Sequence, residues 1–183
     1  MSEAKSDSGW GPIEEWLAQL PFSMPMAFRA SADESNSLSD LLVRTGFPRG
    51  GFAEALLWLR IGAMDPAHGM VQDATSGLGA YIHGVLHRME GDWWNSKYWF
   101  RQVGDGALVS QITGEIERLA QESVELVGWR PLAPAAFVDA CEAAYSQKSN
   151  GKSKSKDELR MLEVQASFEW RALWEQAQKK NPR

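Results

Sequence analysis

The sequence predicts an all-α protein. Apolar residues recur at helical spacing in successive segments from Phe52 onward, and short breaks containing Gly, Asp or Pro separate these segments. No segment shows the sustained alternation of polar and apolar residues that marks a convincing strand. Nine tryptophans in 183 residues favour a thick apolar core between helices. We therefore expect antiparallel helical hairpins in a repeat-like arrangement, with orthogonal or bundle packing.

The N-terminal part is predicted to be a flexible arm over residues 1–35. It mixes Ser, Asp, Glu, Pro and Met around one short amphipathic piece, 12–20, which has little to anchor it alone. A short helix is predicted from Ser37, and three glycines and a proline then break the pattern over 46–51. Residues 36–183 are the length of one ordinary domain, and we expect a single helical domain there.

Seven further helices are predicted in that domain, each bounded by a break or a favourable first-turn residue. They cover 52–63, 66–75, 78–89, 93–103, 108–126, 134–145 and, from Lys156 or Asp157, a last segment to about Lys179. The segment 146–156 is polar, basic and without apolar residues. Because such a segment cannot offset its ordering entropy by burial, we predict a mobile loop there.

Composition limits the classes of partner. The net charge of −5 disfavours binding to nucleic acid, and no apolar run is long enough to cross a bilayer, so no membrane partner is expected. The only cysteine, Cys141, cannot form an internal disulfide. Together with an N-terminus that lacks a signal-peptide pattern, this predicts a cytoplasmic protein.

The densest group of chemically capable side chains surrounds the three histidines, His68, His83 and His87. On a helix that advances about 100° per residue, His83, His87 and Glu90 lie within roughly 60° of one another. Their side chains are therefore expected to point into the same space. This cluster is the predicted functional site.

One interpretation of the cluster is a divalent metal site for zinc, iron or nickel. His83, His87 and Glu90 would supply ligands, and His68 or Asp92 could add another. The pattern of zinc proteases, in which a glutamate directly follows the first histidine, is absent because Gly84 holds that position. A metal-dependent hydrolase of another kind remains the alternative function.

The main functional prediction is the binding of a small polar ligand or a protein segment. The expected binding residues are those that the cluster and its flanks contribute: His68, Gln72, His83, His87, Glu90, Asn95 and Trp99. If the site is catalytic, His87, Glu90 and His68 are the candidates for general acid and base work. A purely structural interpretation is also open, in which these groups satisfy one another in a buried polar network. The sequence does not decide whether the protein is an enzyme.

Two stretches align as a faint internal repeat, 53–68 with 80–95, which pairs Asp65 with Asp92 and His68 with Asn95. The second copy resembles a tetratricopeptide-type hairpin, with Gly84 and Ser96 where its helices would approach closely. The opening tryptophan and closing proline of that repeat are absent. We therefore predict a pair of repeat-like hairpins.

The chain also resembles a functionally uncharacterised all-helical family of bacteria and fungi. The likeness is carried by 56–72 and by the run from His83 to Arg101, which fits the pattern H-x(3)-H-R-x-E-G-D-x(2)-N-x(2)-Y-W. It continues through 129–131, 137–139 and Glu169-Trp170, and so covers most of residues 52–175. The resemblance implies an all-helical fold and places the site at this motif, but it implies no activity, cofactor or substrate.

Overall fold

The computed structural model describes residues 11–19, 30–104, 106–123, 126, 128–149 and 155–180. Within these ranges the chain forms nine α-helices and no strand, which confirms the predicted all-α class. The helices, in order, are α1 Gly11–Gln19, α2 Ala32–Thr45, α3 Phe52–Arg60, α4 Met64–Val71, α5 Gly77–Glu90, α6 Trp93–Gln102, α7 Gly106–Gln121, α8 Pro134–Ser149 and α9 Lys156–Lys180.

Helix α5 is the central element. Every residue from Leu78 to Met89 is buried, and the helix packs against α3, α4, α6 and α9. A helix that is covered all round needs small residues where a neighbour comes close. At Gly84, an added Cβ would lie 3.1 Å from the ring of Phe100 on α6, and the hydroxyl of Ser96 donates to the Gly84 carbonyl at 2.7 Å. The predicted close approach at Gly84 and Ser96 is therefore present.

The two hairpins that the internal repeat predicts correspond to α3 with α4 and α5 with α6, since each pair is consecutive and in contact. Asp92 caps α6 by accepting from the Asn95 backbone N–H at 3.2 Å, and Gly91 ends α5 in the left-handed region at a φ of 78°. Asp65, its partner in the repeat, lies inside the first turn of α4 and does not cap it. The two copies thus differ at the N-terminus of their second helix, where only Asp92 acts as a cap. A tetratricopeptide-like arrangement stays a prediction.

Helix α9 is fixed to the centre by polar contacts as well as apolar ones. The Trp170 indole N–H donates to the Leu56 carbonyl of α3 at 2.9 Å. Arg88 of α5 forms a buried ion pair with Glu169, which also accepts from the Tyr81 hydroxyl at 3.2 Å. On a helix that advances about 100° per residue, Arg88 lies about 140° from His83, and this other side of α5 contacts α9.

The described part of the segment 1–35 contains helix α1 and the beginning of helix α2. Helix α1 buries Ile13 completely. Helix α2 begins at Ala32, five residues before the predicted Ser37, because Ser31 and Glu34 form a reciprocal capping box. Residues 1–10 and 20–29 lie outside the described ranges, and so does that portion of the predicted arm.

Two other boundaries differ from the sequence-based prediction. Helix α7 ends at Gln121 instead of Leu126, and the Ser123 N–H turns back to the Ala120 carbonyl at 3.1 Å. Helix α8 continues past Tyr145 to Ser149, into the segment predicted as a mobile loop. The part of that loop at 150–154 lies outside the described residues. Among the described helices, none has the length and apolar character that crossing a bilayer requires.

Candidate functional site

The three histidines come together from two helices. His83 and His87 lie one turn apart on α5, and His68 reaches them from the last turn of α4. The centroid of the His68 ring lies 4.8 Å from that of His83 and 5.7 Å from that of His87. One nitrogen from each of the three rings falls within 4.8 Å of the others. The group is called the histidine cluster below.

His87 is held by hydrogen bonds at both ring nitrogens. Its Nδ1 lies 3.0 Å from Glu90 Oε2, and its Nε2 lies 3.1 Å from Asn95 Nδ2. Because a carboxylate can only accept and the amide NH₂ can only donate, this pairing puts the proton on Nδ1 and leaves the Nε2 lone pair facing Asn95. Burial lowers the pKa of His87, while Glu90 and Asp92 act in the opposite direction and His68 lowers it further.

His83 is the most enclosed of the three, with 2% of its surface exposed. Its ring stacks on Trp99 of α6 at a centroid distance of 3.8 Å and on His87 at 4.8 Å. Neither of its ring nitrogens has a hydrogen-bond partner among the described residues. Burial, together with the neighbouring His87 and His68, lowers the pKa of His83 to about 4. At neutral pH it is therefore a neutral imidazole with an unused lone pair.

The structure places the predicted site residues unequally. His68, His83, His87, Glu90, Asn95 and Trp99 lie in one connected set of contacts. Gln72 is exposed at the C-terminal end of α4, and Asp92 is occupied in capping α6. Glu90 is predicted as a direct ligand, but its carboxylate contacts His87 Nδ1. The group with metal-ligand spacing consists of the three imidazoles.

Comparison with known proteins adds no relative. No protein-family model, curated protein or solved structure matches the chain. The function has to be argued from the geometry of the histidine cluster.

The pairing of His68 with Asn95 in the internal repeat has a structural counterpart. Each residue comes from the second helix of its hairpin, and each lies beside His87 on α5. The histidine cluster thus lies where the two hairpins meet. His68 comes from the second helix of the first hairpin, and Asn95, from the second helix of the second hairpin, contacts His87. In the sequence, the alignment of His68 with Asn95 in the two copies of the repeat is the signal that places His68 near His83 and His87.

An aromatic group not predicted as part of the site flanks it on the surface of α6. Trp94 is 73% exposed and stacks on Tyr98 at 6.0 Å, and Tyr98 meets Trp99 edge to face at 5.5 Å. Since Trp99 covers His83, the contacts run without interruption from solvent to the histidine cluster. The helical spacing of Trp94 and Tyr98, one turn apart, predicts their stacking but not their exposure.

Proposed function

We propose that the protein binds a divalent transition-metal ion, with His68, His83 and His87 as its ligands. The observation that carries this proposal is the state of His83, a buried imidazole within a group of three, whose two ring nitrogens have no partner among the described residues. An unsatisfied buried polar atom costs about 1–3 kcal/mol. A metal ion bound at one of these nitrogens would remove that cost for the nitrogen that carries the lone pair.

The donor set suits such an ion. Neutral imidazoles are the preferred ligands of zinc, nickel, copper and iron, and the lowered pKa of His83 keeps its ring neutral without competition from protons. Glu90 has the position of a supporting carboxylate, because it accepts from His87 Nδ1 and so directs Nε2 outward. In this arrangement Glu90 orients a ligand and does not itself bind the ion.

Metal binding requires a small rearrangement. Tetrahedral zinc with Zn–N distances of about 2.0–2.1 Å needs nitrogens about 3.4 Å apart, whereas the cluster spans up to 4.8 Å. An imidazole lone pair lies in the plane of the ring, so the stacked rings of His83 and His87 would tilt apart. The ion would also replace the contact between Asn95 Nδ2 and His87 Nε2, which frees the amide for a further ligand.

Three protein ligands leave a fourth position for water. A divalent ion bound to three imidazoles lowers the pKa of its water toward about 7 and so supplies hydroxide at neutral pH. Asn95, released from His87, would lie beside that water as a donor to a substrate oxygen. We therefore propose hydrolysis at this site as the chemistry that follows from metal binding.

The test is a metal titration of the purified chain after treatment with a chelator. We expect about one Co²⁺ or Zn²⁺ per chain, and tetrahedral Co²⁺ absorption bands that report nitrogen ligation. His68→Gln should weaken binding at least tenfold, because it removes the ligand that is least buried and least important for packing. Glu90→Gln should weaken binding by about 10–100-fold through loss of orientation at His87.

Gln72→Ala is the matched control. Gln72 is exposed directly after the end of α4, the helix that carries His68, and the Gln72→Ala variant should bind metal as the wild type does. If the wild type takes up no stoichiometric metal, or if His68→Gln binds as well as the wild type, the metal proposal is wrong. Circular dichroism of each variant separates loss of a ligand from loss of the fold.

The second candidate function is the binding of a small polar ligand or protein segment without metal, as the sequence predicts. The exposed Trp94 and Tyr98 beside the cluster favour it, since aromatic side chains give large contact area at low entropic cost. In that case His83→Ala would lower ligand affinity in metal-free protein. If His83→Ala lowers only stability, the cluster is structural. The single cysteine, Cys141, is buried and cannot form an internal disulfide, and we further propose a reducing, cytoplasmic location.

A further inference from the structure

A cavity that is separate from the histidine cluster lies between α1, α3 and α9. Its volume is about 520 Å³, and residues from all three helices line it. Cavities of roughly 300–1,000 Å³ are typical of small-ligand sites. None of the three histidines is among its lining residues, so any ligand here is independent of the proposed metal.

The deep part of the cavity offers cationic and donor groups. Arg60 of α3 is only 5% exposed, and its guanidinium carries five N–H donors. Burial lowers the pKa of Arg60, which means that desolvation penalises its charge. Gln178 Nε2 is buried and has no hydrogen-bond partner among the described residues. Both groups would be stabilised by an anionic acceptor.

Two stacked indoles form the apolar part of the lining. Trp170 and Trp174 stack at 5.4 Å with an interplanar angle of 12°. Trp170 is fixed by its hydrogen bond to the Leu56 carbonyl, and Trp174 also stacks on Phe47 at 6.3 Å. Because these rings are already held in place, a flat ligand would bind without the entropic cost of ordering them.

The mouth of the cavity has the opposite character. Glu14 of α1 and Arg171 of α9 are exposed there, and Glu175 is half-buried. Exposed charges are screened by water and salt, so they contribute little to ligand affinity. The buried groups therefore determine which ligand charge the cavity favours. Arg60 favours a negative charge, and Gln178 adds a hydrogen-bond donor.

We propose that this cavity is a binding site for a small carboxylate with a flat, apolar body, such as an aromatic acid. The carboxylate would accept from Arg60 and Gln178, and the apolar body would lie against Trp170 and Trp174. Helix α1 closes the site on one side through Leu17 and Ala18.

The experiment compares two probes of similar shape and opposite charge, phenylacetate and benzylamine, by isothermal titration calorimetry of the full chain. Phenylacetate should bind one to one, and at least tenfold more tightly than benzylamine. Binding should also move the indole N–H signal of Trp170 in a ¹H–¹⁵N NMR spectrum, assigned with Trp170→Phe. No binding of phenylacetate at millimolar concentration, or equal binding of the two probes, overturns the proposal.

Two variants locate the site. Ala18→Trp should fill the cavity and abolish binding, whereas Gln19→Trp, on the same helix but not in the lining, should leave it unchanged. Gln178→Glu replaces the unpartnered donor with a carboxylate, and it should weaken phenylacetate at least tenfold while strengthening benzylamine. If Ala18→Trp fails to fold, Gln178→Glu tests the proposal alone, through the expected change of preference from phenylacetate to benzylamine. Unchanged preference in that variant contradicts the proposal.

Discussion

Gly79 lies where α5 has no room for a side chain. A Cβ at this position would overlap the Cβ of Ala74 and lie 2.9 Å from the ring of Phe52. Both neighbours are half-buried, but the Cβ of Ala74 is fixed to its own backbone, so an alanine at position 79 needs a shift of the backbone. Gly114, in the middle of α7, is the opposite case, because nothing lies within 4 Å of the added atom.

We predict that Gly79→Ala and Gly114→Ala change stability in opposite directions. Overpacking at Gly79 should lower the free energy of unfolding by about 1–3 kcal/mol. Gly114→Ala should raise it by roughly 0.5–1 kcal/mol, because alanine loses less backbone entropy in a helix. Urea unfolding followed by circular dichroism measures both. Similar changes in the two variants would show that α5 is not tightly packed at Gly79.

At the residue scale, spacing alone predicted that His83, His87 and Glu90 share one side of a helix, and the hydrogen bond between His87 and Glu90 agrees with it. The spacing could not show whether Glu90 binds a metal ion directly or supports His87, because both roles require only that Glu90 lies near His87. Gln72 was placed in the site by its distance along the chain from His68, but the helix directs it to solvent. The stacking of His83 on Trp99 depends on tertiary packing and has no local signal.

Helices α5 and α9 are joined by a buried ion pair. Arg88 and Glu169 lie far apart in sequence, are almost completely buried, and are joined by two hydrogen bonds, one of them at 3.2 Å. The Arg88 guanidinium also lies 4.3 Å from the centroid of the Phe137 ring on α8. One side chain of α5 thus contacts two helices that follow much later in the chain.

We predict strong coupling between Arg88 and Glu169. Glu169→Ala should lower the free energy of unfolding by about 3–5 kcal/mol, because it leaves a buried guanidinium without its counter-charge. The double variant Arg88→Met with Glu169→Leu should be more stable than Glu169→Ala, since it removes both charges. A double-mutant cycle by chemical denaturation, made of Arg88→Met, Glu169→Leu and the double variant, measures the coupling. Strictly additive effects would contradict it.

At the element scale, helix existence was predictable because breaks with Gly, Pro and Asp separate clear periodic segments. Helix ends were less so. The capping box of Ser31 and Glu34 is visible in the sequence, but it lies in a polar stretch that composition suggested was an arm. The pairing of Arg88 with Glu169 could not be predicted, because the helical wheel gives only the side of α5 on which Arg88 lies and not the helix that packs there.

For the whole molecule, the histidine cluster makes stability dependent on pH. The pKa of His83 is about 4 in the folded chain, against 6.5 for an ordinary histidine. Between these values the unfolded chain binds the additional proton, so stability that is fully present above pH 6.5 is lost as the pH falls toward 4. Integrated over this window, the loss is about 3 kcal/mol. His87 and His68 are the charged neighbours that help to lower this pKa, and Glu90 and Asp92 act on His87 instead.

We predict that metal-free protein is destabilised by acid through His83. The free energy of unfolding in urea, measured with chelator at pH 7.5 and 4.5, should fall more in the wild type than in His83→Phe. Phenylalanine keeps an aromatic ring against Trp99 but has no proton to bind. An equal acid loss in both proteins would assign the effect to other groups.

The enclosure of α5 also bears on how related chains can diverge. His83 and His87 lie on the face of α5 that packs against α4 and α6, and Arg88 lies on the face that packs against α9. Deleting a single residue within α5 would rotate everything downstream by about 100°, and both sets of partners would be lost together. Insertions and deletions in descendants of this gene are therefore expected outside α5, however far their amino acids have drifted.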